Sequence, residues 1–144
     1  MPHFAFDDRN IRWHRLEGID HLHYAILDID ERNKIIDILY RFAAGKQIVL
    51  HRHTSLNQLL VIQGEHRLYH VDGTLKEIRP VGRYTVVQAS DEPHREGGGE
   101  DQDVVILFSI RGSDGILYEI LDDDLNLKGT LSWDDFVALK QAQE

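Results

Sequence analysis

The side chains best placed to do chemistry in this 144-residue chain are its nine histidines. There is no cysteine, so disulfides and thiolate sites are excluded, and any metal ion must rely on His, Asp, Glu or amide oxygen. His51 and His53 close the run Gln47-Ile48-Val49-Leu50 and are separated by one residue. Positions i and i+2 of an extended strand point the same way, so both imidazoles can reach one ion. A third ligand must come from elsewhere, and Pro93-His94 is the best candidate, at the end of a later strand that a hairpin could bring alongside.

Other candidates carry less. His21-Leu22-His23 is a second His-x-His pair, but no glycine-led strand precedes it, and it reads as structural. His66 and His70 share a face if their strand is regular, lining the interior or covering the outside. Glu92 and Glu96 flank His94 and could act as acid or base. They lie in a polar stretch, residues 89–103, that contains Gly97-Gly98-Gly99. Three glycines are permissive of many conformations, so this reads as a solvated surface loop that could also gate a site. Trp13, Tyr24, Tyr40, Phe42, Tyr69 and Phe108 read as core, with Tyr40 and Phe42 on the strand that leads towards the His51 run.

The elements that must position these residues are short strands between turn signals. Residues 23–29 and 35–42 are the first pair, and Ile36, Ile38, Tyr40 and Phe42 alternate onto one face. Strands follow over 47–50 and 59–63, the latter apolar on both sides and so expected to be buried on both. Asp72-Gly73 is a hairpin turn between strands 65–71 and 74–78. Further strands are expected over 83–88, 104–110, 117–121 and 125–128. One helix is expected over 132–143, with Ser132 as N-cap, Asp135 completing a capping box, and acidic residues in its first turn. Many short strands with one terminal helix predict a closed all-β barrel or sandwich. The length suits a single domain over 1–144: N-terminal strands about 11–42, a barrel core about 43–121, and the helix.

The formal charge of -9 with scattered basic residues argues against nucleic acid as a partner. No apolar run is long enough to span a bilayer and no signal-peptide pattern opens the sequence, so no membrane association and a cytoplasmic location are expected. Apolar strand faces around Leu59 and Val61 suggest a homodimer, although a monomer core explains them equally well.

The run from Gly45 through His51 and His53 to Gly64 resembles the first motif of the cupin superfamily: glycine, five residues, His-x-His, a short gap, a carboxylate, then a strand ending in glycine. Gly82 to Pro93-His94 resembles the second motif, one residue longer than usual and with Gln88-Ala89-Ser90 in place of the customary proline-glycine turn. The resemblance implies a jelly-roll barrel, the double-stranded β-helix of cupins, with one divalent ion on His51, His53 and His94. The place of the usual glutamate holds Asn57 or Gln58, depending on how the gap is counted; Gln58 is favoured as a weak ligand or hydrogen-bond partner.

The ending, Leu121 to Gly129 through Asp122-Asp123-Asp124, resembles one branch of that superfamily: small three-histidine dioxygenases that cleave acetylacetone or hydroxyacetophenones, together with ChrR-like cupins. Iron(II) is the metal favoured by this resemblance, with zinc, nickel, manganese or copper as alternatives, because imidazole suits several of them. The implied function is a dioxygenase acting on a small diketone-like or hydroxyketone substrate. A non-catalytic ligand- or metal-sensing module, or a metal-dependent isomerase or lyase, is the alternative.

Overall fold

A computed structural model describes residues 4–143. Its twelve strands and one helix make three antiparallel sheets. The largest has six strands in the order β1 (His14–Arg15), β2 (Leu22–Asp30), β3 (Ile35–Phe42), β10 (Val104–Arg111), β5 (Leu56–Gln63) and β8 (Tyr84–Val87). A three-stranded sheet orders β12 (Leu127–Ser132), β11 (Ile116–Leu121) and β4 (His51–His53). The other orders β7 (Leu75–Arg79), β6 (His66–Tyr69) and β9 (Arg95–Gly97). Helix α1 (Trp133–Gln143) follows β12. None of the described helices is long and apolar enough to cross a membrane.

The alternation read from β3 sets the core. Ile36, Ile38, Tyr40 and Phe42 are all buried, against Ile106, Phe108 and Ile110 of the neighbouring β10. Tyr40 and Phe108 meet edge-to-face with centroids 4.8 Å apart, a favoured aromatic geometry. Trp133 and Phe136 bring the helix into the same core. The capping box forms as expected: Ser132 Oγ accepts from the Asp135 amide at 3.2 Å, and the Asp135 carboxylate accepts from the Ser132 amide at 2.8 Å. The Asp72-Gly73 turn also forms, with the Gly73 amide donating to the His70 carbonyl.

Four expectations need correction. Residues 47–50 do not form a regular strand: their amide and carbonyl groups bond alternately to the segment around Glu96 and to β11, and a continuous ladder begins only at His51. The outer face of β5 is not buried throughout, for Leu60 is 37% exposed while Leu59 and Val61 are 2% exposed. One face of an antiparallel sheet can meet water, so an apolar run does not require burial on both sides. The strand expected over 125–128 runs instead from Leu127 to Ser132, after Leu125 takes a positive φ in the acidic turn.

The fourth concerns residues 89–103, which contain β9 rather than one long loop. Glu96, Gly97, Gly98 and Gly99 are buried there. Gly97 lies so close to the Lys46 carbonyl that a Cβ would collide with it, and a Cβ on Gly98 would sit 2.9 Å from the Phe42 carbonyl. These glycines permit close approach of backbones; they do not supply mobility. Gly97→Ala is therefore expected to destabilise the protein by about 1–3 kcal/mol in urea unfolding, as overpacking does. Unchanged stability would contradict this role.

Candidate metal centre

Strands β4 and β9 and the residue before β9 bring the site together. His51 and His94 form a reciprocal backbone bridge, with amide-to-carbonyl distances of 3.1 and 2.9 Å. Residues directly opposite in an antiparallel bridge present their side chains on the same face. The two rings accordingly sit 4.6 Å apart. His53, two positions along β4, shares that face and stacks on His94 at 4.9 Å. Glu96, two positions beyond His94, joins them. Arg52 points the other way and pairs with Glu119 of β11 at 2.9 Å, which fixes the register of β4 from outside.

One ligand atom from each of His51, His53, His94 and Glu96 can be chosen so that all four lie within 4.8 Å of one another, a group that could hold a metal ion. His53 Nε2 lies 3.2 Å from His94 Nε2, and His51 Nε2 lies 2.8 Å from Glu96 Oε2. Ligand atoms about 2.1 Å from a tetrahedral ion are about 3.4 Å apart, so the spacing fits. His51 Nδ1 faces the Val49 carbonyl at 2.8 Å; a carbonyl only accepts, so Nδ1 carries the proton and Nε2 is the nitrogen left for an ion. Two imidazole Nε2 lone pairs cannot face each other at 3.2 Å unless a proton or a cation lies between them. The donor set therefore fits a borderline divalent ion.

In the protein without metal, protons serve this purpose. Burial would raise the Glu96 carboxyl, but hydrogen bonds from His51, His66 and His94 outweigh it and hold Glu96 well below the usual carboxylate range. Burial likewise disfavours a charge on His51, yet the bond to Glu96 prevails and raises it. Burial pushes His53 well down and His94 down, which keeps both in the neutral form that a metal requires.

His66 is fully buried, and its Nε2 lies 2.7 Å from Glu96 Oε1. It thus occupies the carboxylate oxygen that the cluster leaves free. His70 is exposed beyond the end of β6, so the pair does not share one environment. His21 sits in a left-handed turn with φ 68° and, with His23, stands apart from the cluster. Glu92 is exposed and pairs with Lys76 at 3.3 Å.

The position of the missing glutamate resolves through the strand period. Asn57 faces inwards, fully buried, and its Oδ1 accepts a hydrogen bond from the Tyr118 hydroxyl at 3.1 Å. Gln58, favoured from sequence, lies on the opposite face of β5 and outside the four-residue group. The carboxylate in the cluster is Glu96, from a strand whose existence the sequence reading missed. Its signal was the alternation His94-x-Glu96, which repeats His51-x-His53 in the facing segment.

Two cavities meet at the cluster. A small apolar one of about 30 Å³ reaches His51 and Glu96 between Tyr40, Phe42, Phe108 and Tyr118. A more polar one of about 140 Å³ reaches His53, His94 and Glu96 from the side of β7 and β8.

Neither a protein-family model nor a curated protein sequence matches the chain. Solved structures do match its fold. An RmlC-like cupin from Ralstonia eutropha superposes with a TM-score of 0.75 and 18% identity, covering 99% of this chain and 87% of that one. An acetylacetone dioxygenase from Acinetobacter johnsonii gives 0.69 and 12%, covering 100% and 93%. The anti-sigma factor ChrR, in its complex with SigE from Rhodobacter sphaeroides, gives 0.56 and 22%, covering 71% and 50%. The chain thus has the cupin fold, a jelly-roll of antiparallel strands with a short C-terminal helix.

The buried ionic cluster predicts an acid-sensitive metal-free protein. Because the Glu96 pKa is depressed on folding, its contribution is full above the ordinary value of 4.5 and is lost as pH falls through the folded value. That of His51, raised on folding, is full below 6.5 and is lost as pH rises through its folded value. In chelator-treated protein at about pH 6, Glu96→Gln is expected to cost about 3 kcal/mol, and the gap from wild type should narrow below pH 4.5. A gap that stays constant across the acid range would contradict this linkage.

Proposed function

We propose that the protein is a metal-dependent dioxygenase in which His51, His53 and His94 hold one divalent ion, iron(II) by preference, with Glu96 as a fourth, anionic partner. The observation that carries this reading is the convergence of three imidazoles and one carboxylate where two cavities of different character meet. Such an ion would act as a Lewis acid that binds a chelating enolate and lets dioxygen react with it.

The chain's own groups do the rest. The Val49 carbonyl fixes the His51 tautomer, and His66 holds the Glu96 carboxylate in one orientation. The polar cavity suits a small diketone-like or hydroxyketone substrate. The apolar one excludes water from the opposite side of the cluster. Glu96 separates this site from the three-histidine pattern without carboxylate that the sequence suggested, for it offsets one unit of the ion's charge. An acetylacetone dioxygenase shares this fold over the whole chain, so the barrel is one that can house such a substrate.

The likeness to ChrR supports a second reading, a sensing module that binds metal or ligand without turnover. A metal-dependent isomerase or lyase would use the same site without oxygen. Protein purified without chelator is expected to carry about one ion per chain, and His51→Ala and His94→Ala to lose most of it, because each removes an imidazole nitrogen that would touch the ion. Loaded with iron(II), the wild type is expected to consume dioxygen with members of a panel of diketones and hydroxyacetophenones. Unchanged metal content in both variants would contradict the site. Bound metal without oxygen uptake would contradict the dioxygenase, with anaerobic turnover pointing to an isomerase or lyase.

A further inference from the structure

The two cavities at the cluster share only Glu96, and the small apolar one has its own way in. Its mouth is formed by half-buried Leu16 and Ile19, from the connection between β1 and β2, and by Leu131 of β12. From there the wall passes over Leu22 and Ile48, both buried, to His51 and Glu96. The polar groups along this route are already engaged. His51 Nδ1 is held by the Val49 carbonyl, the Tyr118 hydroxyl donates to Asn57 Oδ1, and the Glu96 oxygens face His51 and His66. Among the described residues, no buried polar atom that lacks a partner belongs to this wall. A buried water needs about two to four polar partners, and an apolar cavity without them stays dry and takes up small apolar molecules instead. At about 30 Å³ the space is roughly twice what one water requires, which suits a diatomic molecule and not the carbon skeleton of a diketone.

From this we infer that the apolar cavity is a dioxygen site, and the route by which dioxygen reaches the cluster, while the organic substrate arrives through the polar cavity. Dioxygen is neutral, apolar and diatomic, so it leaves water readily and asks for no hydrogen bond. An enolate would lose its hydration there without gaining a partner. The organic substrate therefore leaves the dioxygen route open, and the two reactants meet at the cluster from separate entrances. The inference rests on the dioxygenase reading for the use made of the gas, but not for where the gas sits.

Dissolved dioxygen is paramagnetic and speeds the relaxation of nuclei it touches, so the gas under pressure is itself the probe. Methyl relaxation by NMR is measured on zinc-loaded protein, in which no oxidation occurs, and on chelator-treated protein. In both, the enhancement at Leu22 and Ile48 is expected to exceed several-fold that at Ile26 and Leu39, which are buried to a similar degree but line neither cavity. Ile19→Trp, which closes the mouth, is expected to remove the enhancement at Leu22 and Ile48. Leu131→Trp does the same from β12 should Ile19→Trp fail to fold. In iron-loaded protein that consumes dioxygen with acetylacetone, these variants are expected to raise the KM for dioxygen several-fold and to change that for acetylacetone little. Val87→Phe, in the wall of the polar cavity, is expected to do the reverse. Enhancement at Leu22 and Ile48 without any oxygen uptake would uphold the site and overturn only the dioxygenase reading. Enhancement that follows exposure alone, or that is greater at Leu59 and Leu68 of the polar cavity, would overturn the inference.

Discussion

The structure turns on one buried carboxylate. Glu96 is 2% exposed, inside a barrel whose other contents are mostly aliphatic and aromatic, and a lone ion there would be strongly disfavoured. It is tolerated because His51 and His66 each hold one of its oxygens, at 2.8 and 2.7 Å, with His94 at 3.5 Å. This arrangement concentrates ionisable groups where water is excluded, so either protons or a cation must balance it. One proton between His53 Nε2 and His94 Nε2, 3.2 Å apart, or one cation in its place, keeps their lone pairs from facing each other.

The surrounding frame is arranged to hold that carboxylate in place. β9 can approach the segment before β4 only because Gly97 and Gly98 carry no side chain, and the close approach puts His94 and Glu96 beside His51 and His53. Strand β10, central in the large sheet between β3 and β5, supplies the apolar floor. The Tyr118–Asn57 hydrogen bond closes the interior next to His51 with a neutral pair. Burial raises the hydroxyls of both Tyr40 and Tyr118, so they remain protonated and add no further charge.

Strand periodicity made most of the fold legible. The alternation of β3, the Asp72-Gly73 turn and the Ser132–Asp135 cap are local signals, and each appears where local chemistry places it. His51 and His53 were legible for the same reason, as a spacing of two on a strand needs no tertiary knowledge. The partnership with Glu96 was not, because it depends on β9, a three-residue strand in a stretch rich in Glu, Asp and Gly. Composition there speaks for a loop, and only tertiary pairing with β6 overrides it. Gln58 was preferred over Asn57 for a related reason. Counting a gap cannot decide which of two adjacent residues faces inwards, while register against β10 decides it at once.

The cupin fold alone does not determine a function, and neighbours of 12–22% identity extend the argument no further than architecture. The site carries the functional reading, and its core is that four side chains from two facing segments close on a single ion. Metal K-edge X-ray absorption on the loaded protein tests this most directly. The account predicts nitrogen or oxygen neighbours at about 2.0–2.2 Å, with outer-shell scattering from three imidazoles that drops to two in His94→Ala. Fewer than three imidazoles in the wild type, or a spectrum indifferent to that substitution, would contradict it.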